Sequence, residues 1–141
     1  MFKNLLLAVD VMSPEGAAKS AAAAVSFARA NHATLHLLNV VPDTGMAIVG
    51  ASLPPGQMEK ALEAARAELH KWADETISSD VDRQIHIKEG TVYDQIIRTA
   101  NEIDVDAIIV GANSPEFRDY LIGPNAARVA RHATQSVFVI R

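Results

Sequence analysis

The chain has no cysteine among its 141 residues. A disulfide framework, a thiolate zinc centre and a cysteine nucleophile are therefore excluded, and a reducing cytoplasm is compatible with the composition. Long apolar runs are missing as well. None approaches the roughly 20 residues needed to cross a bilayer, and the N-terminus has a strand pattern rather than a signal-peptide layout. Clusters of positive charge are also lacking: 13 Lys+Arg are scattered against 17 Asp+Glu, for a net charge of −4, which disfavours a nucleic-acid partner. No G-x-S-x-G elbow exists to present a serine nucleophile. The five histidines (His32, His36, His70, His86 and His132) have no metal-ligand spacing and read as surface or structural residues. Asp104 and Asp106 flank a strand start and read as a solvated edge rather than an acid/base pair. These absences leave little for a hydrolase to work with.

What is present is a single-domain composition. Apolar residues make up 49% and charged residues 21%, enough for one core in a domain spanning residues 1–141 and too apolar for a disordered chain. Phe2–Asp10 reads as a first strand around Leu5-Leu6-Leu7-Ala8-Val9, and Ser13-Pro14-Glu15 as a helix start with serine as cap and proline in the first turn. An alanine-rich helix runs to Ala30. Ala33–Val41 is the second strand, broken by Pro42-Asp43, and Thr44–Gly56 reads as a loop able to move or to fold over a pocket. Met58, Leu62, Ala65, Leu69 and Trp72 stripe an amphipathic helix. Gln84–Lys88 alternates as a strand at a sheet edge should, and Thr91-Val92-Tyr93-Asp94 resembles a capping box opening a helix that carries Ile96, Ile97, Ala100 and Ile103.

The stretch Val105–Val110 is β-branched and apolar on both faces, which predicts a strand buried between two helical layers. It ends at Gly111. A polar loop, Ala112–Tyr120, leads to Gly123, and a helix follows with Ala126, Ala127, Val129, Ala130 and Ala133 at helical spacing. Residues 136–141 form a last strand, whose open edge is a liability unless a two-fold mate pairs with it, so a homodimer is expected. Five strands alternating with four helices predict an α/β fold: an open, doubly wound, five-stranded parallel sheet of order 3-2-1-4-5. In such a sheet the first and fourth strands flank the switch point. Ligands bind there, at the strands' carboxyl ends.

Leu7-Ala8-Val9-Asp10, Leu38-Asn39-Val40-Val41-Pro42 and the stretch from Pro115 to Ala133 together resemble the universal stress protein family over essentially the whole chain, most nearly its F/G-type branch. The resemblance implies an adenine nucleotide alpha-hydrolase-like fold and a homodimer binding ATP or AMP, with Mg accompanying ATP. It places the ligand against Ala8, Val9 and Asp10 of the first strand, Val40 and Val41 of the second, and Gly111, Asn113, Ser114, Gly123, Pro124, Asn125 and Ala126 of the phosphate loop. Asp10 is then a ribose or adenine contact; taken alone, it is equally a local turn cap.

The family's phosphate signature is a glycine, two residues, a second glycine, nine residues, then glycine followed by serine or threonine. Here Gly111 is kept, Ser114 stands at the second glycine, eight residues separate Ser114 from Gly123, and Pro124 replaces the hydroxyl residue. Proline removes one backbone N–H from a helix start that would otherwise cradle phosphate. Amides of Gly123, Asn125 and Ala126, the Asn125 side chain, the Ser114 hydroxyl and Arg118 are the remaining candidates to hold an anion. Two readings follow: a regulatory module binding AMP or loosely held ATP and signalling to an unidentified protein partner, or a nucleotide-free dimeric interaction protein of the same fold.

Overall fold

A computed structural model describes residues 1–42, 54–112 and 123–141. Five parallel strands, β1 (Asn4–Ala8), β2 (Thr34–Val41), β3 (Arg83–Glu89), β4 (Ala107–Gly111) and β5 (Ser136–Ile140), lie in the order β3-β2-β1-β4-β5, which is the expected topology. The central three are apolar on both faces because both are covered. Leu5, Leu7, Leu35, Leu37 and Ile109 pack against α1 (Ala18–Asn31) and α2 (Gln57–Thr76), whereas Leu6, Leu38, Ile108 and Val110 pack against α3 (Val92–Ile103) and α4 (Pro124–His132).

Each helix has a physical reason for its place. Helix α1 buries Ser20, Ala21, Ala24 and Ala28, side chains small enough to bring its backbone close to the sheet, and stops at His32, which adopts the left-handed conformation. Trp72 of α2 lies in the core beside Leu69, as its stripe predicts. β3 is an edge strand with half-buried residues, also as its alternation predicts.

Three local expectations are corrected. Ser13 does not cap α1: residues Pro14–Ala17 form a 3₁₀ turn instead, and the Ser13 side chain makes no capping bond. The capping box at Thr91 does not close either, because the Asp94 carboxylate pairs with Arg98 one turn on, at 2.7 Å. In α4 the buried stripe is narrower than its alanines suggest; Ala126 and Val129 are buried while Ala127 and Ala130 are exposed.

The strand ends also shift. β1 begins at Asn4 because the Asp106 carboxylate takes the amides of Lys3 and Asn4, at 2.6 and 2.8 Å, just ahead of the ladder. These bonds favour the anion and hold the Asp106 carboxyl below the usual range. Asp106 is thus a structural cap at the amino edge, and Asp104 is the left-handed residue that ends α3.

Candidate functional site

Register sets the geometry of the carboxyl edge. β1 pairs with β4 through Leu7↔Ile109 and with β2 through Ala8↔Leu38, so the chain leaves the sheet at Val9 and Asp10 beside the tips of β2 and β4. Val9 is itself buried in the α1/α2 core and donates its N–H to the Leu38 carbonyl at 2.8 Å. Asp10, by contrast, is exposed. Its Oδ1 accepts the Met12 N–H at 2.9 Å, and its carbonyl accepts the Ser13 N–H at 3.1 Å, which makes it the cap of a tight turn. Among the described residues its Oδ2 has no hydrogen-bond partner.

Val40 and Val41 close β2 opposite Lys88 and Glu89 of β3, and the Val41 carbonyl accepts the Gly90 N–H at 3.0 Å. Gly111 ends β4 and is exposed. A Cβ built there would lie 3.9 Å from both the Gly16 carbonyl and the Ser20 Oγ, ordinary contacts. Among the described residues nothing in the packing therefore demands glycine at 111.

The anion end departs from the expected donor set in one respect. The Gly123 N–H donates to the Ala112 carbonyl at 3.0 Å, so this amide is committed to joining the two ends of the connection between β4 and α4. With Pro124 at the first helical position, Asn125 and Ala126 are the amides left at the start of α4. Asn113, Ser114 and Arg118 lie outside the described residues, as does most of the Thr44–Gly56 loop.

Sequence reasoning assigned no role to Asn39. This residue is only 4% exposed, and its Oδ1 accepts the Val11 N–H at 3.3 Å, tying the turn after β1 to the tip of β2. The signal was a lone amide within Leu37-Leu38-Asn39-Val40-Val41. Its partner is 28 residues away, which periodicity does not reveal.

The amino edge has different chemistry. Two open depressions of about 700 and 630 Å³ lie there, between the end of α1 and the α2–β3 connection, far from the strand tips. Arg29 and Asp80 pair across this region at 2.8 Å, holding the Asp80 carboxyl well below its usual range. Among the described residues no three metal-ligating side chains gather. His36 and His86 do meet, Nδ1 to Nε2 at 2.9 Å, with the other His36 nitrogen 3.1 Å from the Asn4 Oδ1. Burial pushes both imidazoles below their ordinary pKa, helped for His36 by His86 and for His86 by Lys88 and Arg66.

The order β3-β2-β1-β4-β5 makes this a doubly wound α/β protein, with an exposed carboxylate and a glycine on the adjacent tips of β1 and β4 at its switch point. The sequence profile of the Universal stress protein family matches residues 1–141. The chain belongs to that family. It is 30% identical over 144 residues to "Universal stress protein G" of Salmonella typhimurium, with 100% of each chain covered. Among solved structures it is similar to universal stress protein UspA from Lactobacillus plantarum, at 25% identity and a TM-score of 0.72, covering 99% of this chain and 98% of the other. Two further structures share the fold: the universal stress protein from Archaeoglobus fulgidus in complex with dAMP (20% identity, TM-score 0.62, covering 99% and 98%) and a universal stress protein in complex with cAMP (19% identity, TM-score 0.64, covering 99% and 97%). No described helix is long and apolar enough to cross a membrane.

Proposed function

We propose that this chain is a non-enzymatic regulatory module that binds an adenine nucleotide above Asp10 and Gly111, with AMP held in preference to ATP. The single observation that carries the reading is Gly111. It is a glycine for which the described residues give no steric reason, on the strand beside the one that presents Asp10. Relatives of the same fold in complex with dAMP and cAMP support the choice of ligand.

In this reading Asp10 takes a ribose hydroxyl through Oδ2, and the tips of β1 and β2, Ala8, Val9, Val40 and Val41, flank the base. Asn125 and Ala126, with Asn113 and Ser114, hold the phosphate. The anion grip is weakened at two places. Pro124 has no N–H to give, and the Gly123 N–H is already spent on Ala112. Mg accompanies ATP in this scheme through the phosphates rather than through a protein ligand set. Occupancy shifts the conformations of the adjoining connections by its differential affinity for them, and a protein partner reads the result in the cytoplasm. Two copies pair through β5.

Mass spectrometry of protein denatured straight from cells tests the ligand, and calorimetry with AMP and ATP, each with and without magnesium, ranks the candidates. Co-purified AMP and tighter binding of AMP than ATP are expected. No binding at millimolar nucleotide would leave the second reading, a nucleotide-free dimeric interaction protein, which the commitment of the Gly123 amide and the presence of Pro124 favour.

A further inference from the structure

We propose that Asn39 is the positioning residue of this site: its buried amide holds the turn after β1 through Val11 and thereby fixes where Asp10 presents its carboxylate. The inference rests on the nucleotide reading and adds to it a residue that acts on the turn, not on the ligand. On the same face of β2, Leu35 and Leu37 are fully buried hydrocarbon, and Asn39 is the next residue in that row. An amide there costs free energy relative to leucine unless it makes hydrogen bonds. Packing alone does not account for it.

The turn explains the choice. Within residues 10–13, the Met12 N–H donates to the Asp10 carboxylate and the Ser13 N–H to the Asp10 carbonyl, so two of the donors close the turn on itself. Val11 is different: its N–H reaches the Asn39 Oδ1 on the neighbouring strand. Below it, the Val9 N–H is still part of the sheet through Leu38. The Val11–Asn39 bond is therefore the mooring that carries the sheet's rigidity one step further, to the residue next to Asp10. Without it the turn keeps its shape but loses its bearing, and the exposed carboxylate no longer holds one position for a ribose.

Asn39→His tests this with a signature that lost packing does not produce. The imidazole Nδ1 stands where the amide Oδ1 stood and accepts the Val11 N–H when neutral; the protonated ring carries a hydrogen there and opposes it. AMP affinity is measured by calorimetry for the variant and the unaltered protein at about pH 8 and about pH 5.5, and the ratio of the two cancels the titration of the phosphate itself. The ratio is expected to worsen about tenfold on acidification, the equivalent of one lost hydrogen bond. Asn39→Leu, which has no acceptor, is expected to bind about tenfold weaker at both pH values and to exchange its Val11 amide hydrogen faster. A flat ratio for a histidine variant whose ring NMR shows it protonated at about pH 5.5, or a leucine variant that binds like the unaltered protein, overturns the positioning role and leaves the nucleotide reading standing. An unaltered protein that binds no AMP overturns both.

Discussion

At the scale of single residues, Pro124 and the His36–His86 pair make opposite demands on the solvent. Pro124 opens α4 with a ring that fits the first helical turn but withholds an N–H from an incoming phosphate. A charge-assisted hydrogen bond is worth roughly 1.5–3 kcal/mol, about one to two decades in affinity. Pro124→Ser is accordingly expected to tighten ATP binding by about ten- to a hundredfold in calorimetry, and an unchanged dissociation constant would mean that phosphate does not sit at this helix start. The histidine pair concerns stability instead. The Asn4 Oδ1 takes the His36 Nε2–H, and the neutral His36 ring can then accept the His86 Nε2–H at Nδ1. Burial lowers both folded-state pKa values below about 6.5, the value of an unfolded histidine. The unfolded chain then binds protons that the folded one refuses, so this contribution is whole above about pH 6.5 and is lost as the pH falls through the folded values. The melting temperature is expected to be level from pH 8 to 7 and to drop toward pH 5.5, and His86→Gln, which still donates to His36, should flatten that drop. Superimposable curves for the two proteins would remove the pair as the cause.

At the scale of elements, β5 is the strand with most left to explain. It lies at the sheet's end, paired with β4 on one side, and Val137, Phe138, Val139 and Ile140 are all half-buried. Phe138 is wedged between Phe2 and Phe27, with ring centroids at 5.8 and 4.5 Å, so that face is held within the chain. Among the described residues no strand pairs with the outer edge of the ladder, and a second copy of β5 would satisfy it. Val139→Lys is expected to shift the protein from dimer to monomer in light scattering, whereas an unchanged mass would dismiss edge pairing. The elements themselves were legible in the sequence because their signals are local. Leu5–Leu7 and Ala107–Val110 are apolar on both faces, and Arg83–Glu89 alternates. Their ends were less so. Where β1 starts depends on Asp106, 102 residues from Asn4, and whether Thr91 forms its box depends on Asp94 choosing Arg98. The site divides the same way. Asp10 and Gly111 are brought to neighbouring tips by strand order alone, which could be read in advance. The mooring by Asn39 and the commitment of the Gly123 amide are tertiary hydrogen bonds that leave no periodic trace.

At the scale of the whole molecule, the two edges of the sheet carry different loads. The amino edge is stitched by charge: Asp106 on the amides of Lys3 and Asn4, Arg29 on Asp80, and Arg83 on Asp74 and on the carbonyls of Ala73 and Ile77. The carboxyl edge has exposed Asp10, bare Gly111 and the opening of α4. With the nucleotide at the carboxyl edge, as proposed, stability and binding should separate under mutation. Asp106→Ala removes an acceptor from two amides at an exposed position, where water replaces part of the loss, and so costs about 1 kcal/mol. For a chain of this size that is a fall of about 2–4 °C in melting temperature. AMP affinity should stay within about twofold, since the strand tips are untouched. Gly111→Ala should do the reverse. Among the described residues its Cβ meets only ordinary contacts at 3.9 Å, so the melting temperature without ligand should hold, while on the proposed reading the added methyl crowds the ligand and AMP binding weakens about tenfold or more. Saturating AMP would then stabilise Asp106→Ala by as much as the unaltered protein, about 2.7 kcal/mol at a hundred times the dissociation constant, and Gly111→Ala by far less at the same concentration. Thermal melts of the three proteins with and without AMP decide the matter. If both variants lose ligand stabilisation equally, the two ends of the sheet are energetically one unit and the notch is not local to the strand tips.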